Sequence, residues 1–193
     1  MYSTNNPINA VDLDGRDIIV LLDKEGANGA GHSAVLIGND KTGWKLYSKN
    51  SGQFKVFGKS EYQDGIDYAT LSDFYKDTHD EYQKRYESGF RIETNEKEDE
   101  IMKNAASKQV KENYLLCGNS CIDTSRDALN SIGLYSGSSP IPNIRFYDII
   151  KRNRKGSILS CFRNPLNFQV EYIYNDRNTE VINIDKERKN QSE

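Results

Sequence analysis

Cys121 and His32 are the residues of this chain whose types and surroundings could together do chemistry. Cys121 follows Asn119 and Ser120, two good N-cap residues, and is therefore predicted to open a helix. The unpaired amides and the dipole at a helix N-terminus favour the nucleophilic thiolate, and the same amides could hold an oxyanion. A nearby histidine would complete an activated nucleophile, so the pair predicts attack of Cys121 on a carbonyl with His32 carrying the proton.

Each of these residues also has a purely structural interpretation. His32 taken alone could be a hydrogen-bonded residue at a strand end, and Cys121 alone could be a small buried apolar residue. A helix cap beside one residue and a glycine loop beside the other favour catalysis. His79 lies in the charged stretch KDTHDEY and is expected to face solvent. Cys117 and Cys161 are expected to be structural thiols. Only the two histidines and one further cysteine could complete a metal site begun by Cys117 and Cys121, so no metal or cofactor is predicted.

His32 is positioned by a predicted antiparallel hairpin. Short apolar runs predict strands over 17–23, 32–38 and 44–48, and the intervening NDKTG predicts a turn. The glycine-rich segment KEGANGAG precedes His32, which lies near the open end of the hairpin.

A third polar group is expected to orient the imidazole from the neighbouring strand. If NDKT forms the turn, Ile37 pairs with Trp44 and His32 lies opposite Lys49, which cannot accept its proton. A shift of one residue places Ser48 there instead, and Asn50 is the next polar candidate. Ser48 and Asn50 are therefore ranked equally.

The remaining segments predict an α+β fold in which an antiparallel sheet packs against helices. A charged amphipathic helix is predicted over 95–114, with Ile101, Ala105 and Val110 on its inner face, and a second helix over 121–131 that ends before Gly133. The other expected elements are strands over 54–60, 89–94 and 168–176, a helix within 70–86, and a helix or strand over 144–152.

Composition bounds the classes of function. The chain has 193 residues, which suits one domain, and its net charge of −3 does not suggest nucleic-acid binding. Its apolar runs are all shorter than the roughly 18 residues that span a bilayer, and its first residues lack a signal peptide pattern. Three cysteines are an odd number, which argues against a disulfide framework and for a reducing compartment.

The segments GHSAVLIGNDKTGWKLYS and NSCIDTSRDAL, in this order, resemble the circularly permuted papain-like enzymes. This group includes NlpC-type amidases and the lecithin–retinol acyltransferase family. The resemblance covers about residues 17–150 and implies a permuted papain-like core in which His32, at a strand start, pairs with Cys121. The family often has Asn directly before Cys; here Ser120 intervenes, which leaves open whether Asn119 and Ser120 both serve as cap or oxyanion residues.

The N-terminal segment YSTNNPINAVDLDGRD resembles the end of an RHS-repeat core, with Leu13 where proline is common. In that family the variable C-terminal domain is a toxin encased by the repeat shell. The resemblance implies a core remnant over 1–15, a toxin domain over 16–176 and a polar tail over 177–193. It also implies export by a specialised secretion system, action inside a target cell, and a cognate immunity protein as partner.

The first hypothesis is therefore a secreted effector toxin that acts as a Cys–His thiol hydrolase or acyltransferase. Peptidase, amidase, deamidase and acyltransferase reactions share the same steps, so its substrate could be a protein, a peptide or a lipid. A nuclease or another enzymatic toxin is the second hypothesis, although no His-Asn-His or multi-carboxylate metal motif stands out. The third is a papain-like binding module without catalysis.

Overall fold

The computed structural model describes residues 16–51, 57–80, 83–116, 118–162 and 170–190. The strands are β1 (Arg16–Asp23), β2 (His32–Asn39), β3 (Gly43–Asn50), β4 (Phe57–Gly58), β5 (Glu61–Tyr68), β6 (His79–Asp80), β7 (Gln83–Lys84), β8 (Ser88–Thr94), β9 (Tyr114–Leu115), β10 (Ile158–Phe162), β11 (Val170–Tyr174) and β12 (Thr179–Asn183). The helices are α1 (Leu71–Asp77), α2 (Glu96–Lys111), α3 (Cys121–Ser131), α4 (Pro142–Asn153) and α5 (Ile184–Asn190).

A six-stranded antiparallel sheet in the order β12-β8-β1-β2-β3-β5 organises the described residues. The predicted α+β class is therefore confirmed, and so is the hairpin of β2 and β3. Its turn is held by Asn39 Oδ1, which accepts hydrogen bonds from the amides of Lys41 and Thr42 at 2.9 and 2.7 Å. This turn sets a register in which Ile37 pairs with Lys45, so the predicted pairing of Ile37 with Trp44 is wrong by one residue.

Both faces of the sheet are covered, which explains the continuous apolar runs of its central strands. In β1, Ile18, Val20 and Leu22 belong to a core with α2, α3 and α4, whereas Ile19 and Leu21 belong to a second core on the other face. Alternate residues of a strand point to opposite faces, so a strand buried on both sides needs apolar residues at every position. We call these the α3 face and the α1 face, after the helices that cover them.

Helices α2 and α3 begin at residues that the sequence marks as caps. Asn95 Oδ1 accepts a hydrogen bond from the Glu98 amide at 3.1 Å at the start of α2. The predicted inner face of α2 is shifted by one residue: Ile101 is exposed and Ala105 is half-buried, whereas Met102 and Ala106 are buried. The buried apolar face of α2 therefore has the expected helical spacing but begins at Met102 rather than Ile101. Val110 is buried as predicted.

Several elements differ from the sequence-based expectations. Strand β5 was not predicted because its sequence EYQDGIDY is polar, which suits its place at an edge of the sheet. The helix expected within 70–86 ends at Asp77. Only 57–58 form a strand within the described part of 54–60, and 144–152 form part of the helix α4.

The fold continues past the expected domain boundary at residue 176. Strand β12 pairs with β8 in the main sheet, and Ile182 and Ile184 are buried in the α1-face core. The segment expected to be a polar tail therefore contributes one strand and the helix α5. Within the part of the chain that the structure describes, no helix is long and apolar enough to cross a membrane.

Candidate active site

A cleft with a volume of about 390 Å³ lies at the end of β2 where the sequence places His32. We call it the His32–Cys121 cleft, because both of these residues line it. Its wall also includes Asp23, Lys49, Asn50, Arg85 and Tyr114. The structure thus brings the predicted nucleophile, the predicted base and one of the two candidate orienting residues to a single cavity.

Cys121 is the first residue of α3, as its flanking sequence predicts. Ser120 is the N-cap, and the Asp123 carboxylate accepts a hydrogen bond from the Ser120 amide at 2.6 Å. Asp123 also pairs with Arg126 at 2.6 Å and with the buried Arg145 of α4 at 3.3 Å. The start of α3 is therefore fixed both by its own cap and by a neighbouring helix.

The electrostatic surroundings of Cys121 differ from the sequence-based expectation. Its side chain is buried, and burial raises the pKa of the thiol above its ordinary value. Hydrogen bonding from the backbone amides of Ser33, Ile122 and Cys121 itself lowers the thiol pKa, but by less than burial raises it. Burial thus opposes the thiolate that the helix N-terminus was expected to favour, and the balance of the two effects favours the neutral thiol.

His32 is buried and held by a hydroxyl group. Its Nε2 lies 3.0 Å from Ser48 Oγ, which lies 3.2 Å from Tyr86 Oη. The rings of His32 and Tyr86 are tilted against each other, with their centroids 5.9 Å apart. Burial, assisted by the positive charge of Arg85, lowers the pKa of His32 to about 4. The imidazole is therefore neutral at pH 7 and can accept a proton.

Ser33 connects the two candidate residues. His32 has the same parity as Ala34 and Leu36, which belong to the α1-face core, so its ring lies on that face with Ser48 and Tyr86. The next residue, Ser33, points to the α3 face, where its hydroxyl oxygen lies 3.0 Å from Ser125 Oγ of α3. Its amide reaches the Cys121 sulfur. His32 and Cys121 thus line the same cleft from opposite faces of the sheet end, linked through the backbone of Ser33.

Ser48 and Asn50, the two candidate orienting residues, have different positions. In the observed register Ser48 pairs with Ala34, two residues beyond His32, and reaches the imidazole diagonally on the same face. Asn50 lines the cleft. Of the two, Ser48 is the one that has a hydrogen bond to His32 in the structure.

Asn119 has a different role from the expected cap or oxyanion donor. Its Oδ1 accepts hydrogen bonds from Lys49 Nζ at 2.9 Å and from Gln109 Nε2. Its Nδ2 donates to Glu112 Oε2 at 3.1 Å and to the carbonyl oxygen of Asn113 at 2.8 Å. With both donors and the acceptor engaged, the side chain of Asn119 holds the segment between α2 and α3 in place.

Sequence reasoning missed two residues of this site. Lys49 is fully buried, and burial lowers its pKa, whereas the sequence analysis considered it only as a residue opposite His32. Tyr86 lies in the stretch expected to be helical, but it adopts a left-handed backbone conformation with φ of 59°. A signal for Lys49 exists in retrospect: in an alternating strand, Lys49 shares the face of the buried Tyr47.

The other candidate residues add little to the site. Among the described residues, no group of three or more histidine, cysteine, aspartate and glutamate side chains could hold a metal ion. The backbone places Cys161 in β10 and His79 in β6. Cys117 and the RHS-like segment 1–15 lie outside the described residues.

The chain was compared with protein-family models, with curated proteins and with solved structures. No family model matches it, and neither the curated proteins nor the solved structures include a significant match.

Proposed function

We propose that this protein is an RHS-associated effector toxin with a permuted papain-like core, acting as a Cys–His thiol hydrolase or acyltransferase. The observation that carries the enzymatic part is the shared cleft. Cys121 opens α3 there, and the neutral His32 lines the same cleft with its Nε2 held by Ser48. The order of the elements, with the histidine strand before the cysteine helix, agrees with a permuted arrangement.

The first half of the reaction forms an acyl-enzyme. Because Ser48 occupies Nε2, Nδ1 is the nitrogen that takes the proton of the Cys121 thiol as the sulfur attacks the substrate carbonyl carbon. A carbon–sulfur bond forms and the carbonyl electrons move to oxygen. Backbone amides near Cys121, which already reach its sulfur, stabilise this oxyanion. The intermediate then expels an amine or alcohol, which takes the proton from His32, and a thioester remains.

The second half releases the acyl group. His32 removes a proton from water or another acceptor as this attacks the thioester carbon, and the Cys121 sulfur leaves and regains its proton. Water gives hydrolysis, and an amine or alcohol acceptor gives acyl transfer. Because both resting groups are neutral, the protein works as a general-base system in which proton transfer accompanies attack, and not as a preformed thiolate–imidazolium pair.

The toxin part of the proposal rests on the RHS-like segment that precedes the described fold. It includes export by a specialised secretion system, action inside a target cell, and inhibition by a cognate immunity protein. The substrate is a protein, peptide or lipid carbonyl compound.

One observation favours a second candidate, a papain-like binding module without catalysis. Burial raises the pKa of Cys121, as it does for structural cysteines, and the residue is only 6% exposed. In that case His32 would have no influence on the thiol. The two candidates therefore differ in one measurable property, which is the dependence of Cys121 reactivity on His32.

Iodoacetamide labelling, followed residue by residue by mass spectrometry, tests this dependence. We expect His32→Ala to slow alkylation of Cys121 by about tenfold or more at neutral pH, because the general base is lost. Alkylation of Cys117 and Cys161 in the same samples is the internal control and should not change. Equal Cys121 rates in the two proteins would exclude the thiol-enzyme proposal and support the binding module.

Expression inside bacterial cells tests the toxin proposal. We expect the parent chain to arrest growth, and Cys121→Ala and His32→Ala to abolish the effect while the surface variant Lys111→Met retains it. Metal-dependent killing that survives Cys121→Ala would instead identify a nuclease or another enzymatic class. If the parent chain has no effect on growth but its Cys121 alkylation depends on His32, the thiol-enzyme proposal is retained and the toxin proposal is rejected.

A further inference from the structure

We infer that Tyr86 is a positioning residue that sets the tautomer of His32 through the hydroxyl group of Ser48. The three side chains form a chain from Tyr86 Oη to Ser48 Oγ, at 3.2 Å, and from Ser48 Oγ to His32 Nε2, at 3.0 Å. All three are buried. The inference rests on the proposed function for the role of Nδ1, but the tautomer itself can be measured without a substrate.

A tautomer matters here because the neutral imidazole carries a single N–H. Nδ1 of His32 can accept the Cys121 proton only when that N–H is on Nε2. Nε2 faces the hydroxyl of Ser48, which can donate or accept a hydrogen bond. Ser48 alone therefore does not choose between the tautomers.

Tyr86 supplies a second constraint. Its hydroxyl group can also donate or accept, and only one direction leaves a lone pair on Nδ1 for the Cys121 proton: Ser48 donates to the phenolic oxygen, so that Ser48 Oγ accepts from His32. The N–H of His32 is then on Nε2, and the lone pair is on Nδ1. Without the phenolic oxygen, His32 is the remaining side-chain partner of Ser48 among the described residues, so Ser48 donates to Nε2 and the N–H moves to Nδ1.

The backbone of Tyr86 supports a specific role for this residue. A φ of 59° is unfavourable for a bulky residue and costs about 1–3 kcal/mol, so the surrounding structure must hold it there. The ring packs between His32 and Phe74, with centroid distances of 5.9 and 6.3 Å. Burial raises the pKa of Tyr86 to about 12, which keeps its hydroxyl group protonated.

Nitrogen NMR of the protein labelled with ¹⁵N-histidine tests the inference directly, since the chain contains only two histidines. The shifts of Nδ1 and Nε2 report which nitrogen carries the proton, and His79→Ala assigns the signals of His32. At neutral pH we expect the Nε2–H tautomer in the parent protein and a shift toward Nδ1–H in Tyr86→Phe. Tyr68→Phe is the matched control: its hydroxyl donates to Asp77 at 2.6 Å, whereas the hydroxyl of Ser48 bonds His32 and Tyr86, so the parent tautomer should persist.

The outcomes separate this inference from the proposed function. A folded Tyr86→Phe protein that keeps the parent tautomer overturns the role of Tyr86. An Nδ1–H tautomer in the parent protein also overturns it, and this second test does not require any variant to fold. If the tautomer shifts as expected, Cys121 alkylation should slow by about tenfold or less, because the base is mispositioned but still present. If His32→Ala leaves Cys121 alkylation unchanged while the tautomer shifts in Tyr86→Phe, the proposed function fails. The inference that Tyr86 sets the tautomer of His32 through Ser48 is then still supported.

Discussion

The ammonium group of Lys49 lies 2.9 Å from Asn119 Oδ1, and this contact ties β3 to the segment that precedes Cys121. Lys49 also donates to the side-chain and backbone oxygens of Gln109, at 3.1 and 2.9 Å. Its neighbour Ser48 points to the opposite face and holds His32. Two consecutive residues of β3 therefore position the two halves of the candidate pair.

Replacing Lys49 with methionine should loosen the segment before Cys121. Gln109 Oε1 loses its donor, and Asn119 Oδ1 and the Gln109 carbonyl oxygen each lose one of two donors. Removal of a buried charge offsets part of the cost to global stability. We expect the amides of residues 112–121 to exchange with solvent about tenfold faster, which corresponds to about 1.4 kcal/mol of local stability. Hydrogen exchange with mass spectrometry measures this.

Lys111→Met is the control for that measurement. Lys111 is an exposed lysine of α2 whose ion pair with Asp64 lies at the surface, so its removal should leave the exchange of 112–121 unchanged. Equal protection of this segment in the parent and in Lys49→Met would show that Lys49 does not anchor it.

The buried neutral histidine should make stability depend on pH. The pKa of His32 is about 4 in the folded protein, against 6.5 for an unperturbed histidine. Between these values the unfolded chain binds a proton that the folded chain does not, so the free energy of unfolding falls as pH falls from 6.5 to about 4. The loss attributable to His32 should reach about 3 kcal/mol, and it should stop below the folded pKa.

Urea unfolding of the parent and of His32→Asn across this pH range isolates that contribution, because the other titrating groups are common to both proteins. The difference in stability between parent and variant should shrink as pH falls. A difference that is constant with pH would show that the pKa of His32 is not depressed by folding.

Removal of the Asp123 carboxylate should destabilise the start of α3. Asp123→Ala removes the acceptor of the Ser120 amide and leaves the buried Arg145 without its ionic partner. We expect a loss of about 3–5 kcal/mol, the range for breaking a buried ion pair, measured by urea unfolding. Asp127→Asn affects only the partly exposed pair with Arg126, so a loss of about 1 kcal/mol or less is expected there. Similar losses in the two variants would contradict the role of Asp123.

The glycine before His32 should resist substitution for two separate reasons. Gly31 has a φ of 92°, and a Cβ there would lie 2.6 Å from Asn143 Oδ1. Asn143 donates to the carbonyl oxygen of Gly29 at 2.9 Å and so fixes the loop against α4. Gly29→Ala is the matched control, because Gly29 has a φ of 86° but nothing within 4 Å of its Cβ position.

We expect Gly29→Ala to cost about 1–2 kcal/mol from backbone strain alone, and Gly31→Ala to cost more and to slow His32-dependent alkylation of Cys121. Thermal or urea unfolding and the labelling assay measure the two effects. A Gly31→Ala protein no less stable than Gly29→Ala would show that the contact with Asn143 does not constrain the loop.

Local patterns predicted the central elements well. The apolar runs of β1, β2 and β3 and the polar turn between β2 and β3 mark these strands, the acidic start and basic end of its sequence mark α2, and Ser120 marks the cap of α3. These features depend on neighbours a few residues away, which a sequence displays directly. Strands β5 and β12 escaped prediction because an edge strand needs few apolar residues and is stabilised by pairing with a distant part of the chain.

The sequence by itself identified Cys121 and His32 as a candidate pair and Ser48 as one of two orienting residues, because residue type and local position carry that information. Tertiary structure decided three further points. Lys49 and Asn119 share a hydrogen bond, the hydroxyl of Tyr86 bonds that of Ser48, and burial lowers the pKa of His32 and raises that of Cys121, which favours the neutral form of both. Burial and long-range hydrogen bonding set these properties. They depend on which distant residues meet when the sheet is covered on both faces, and no local pattern contains that information.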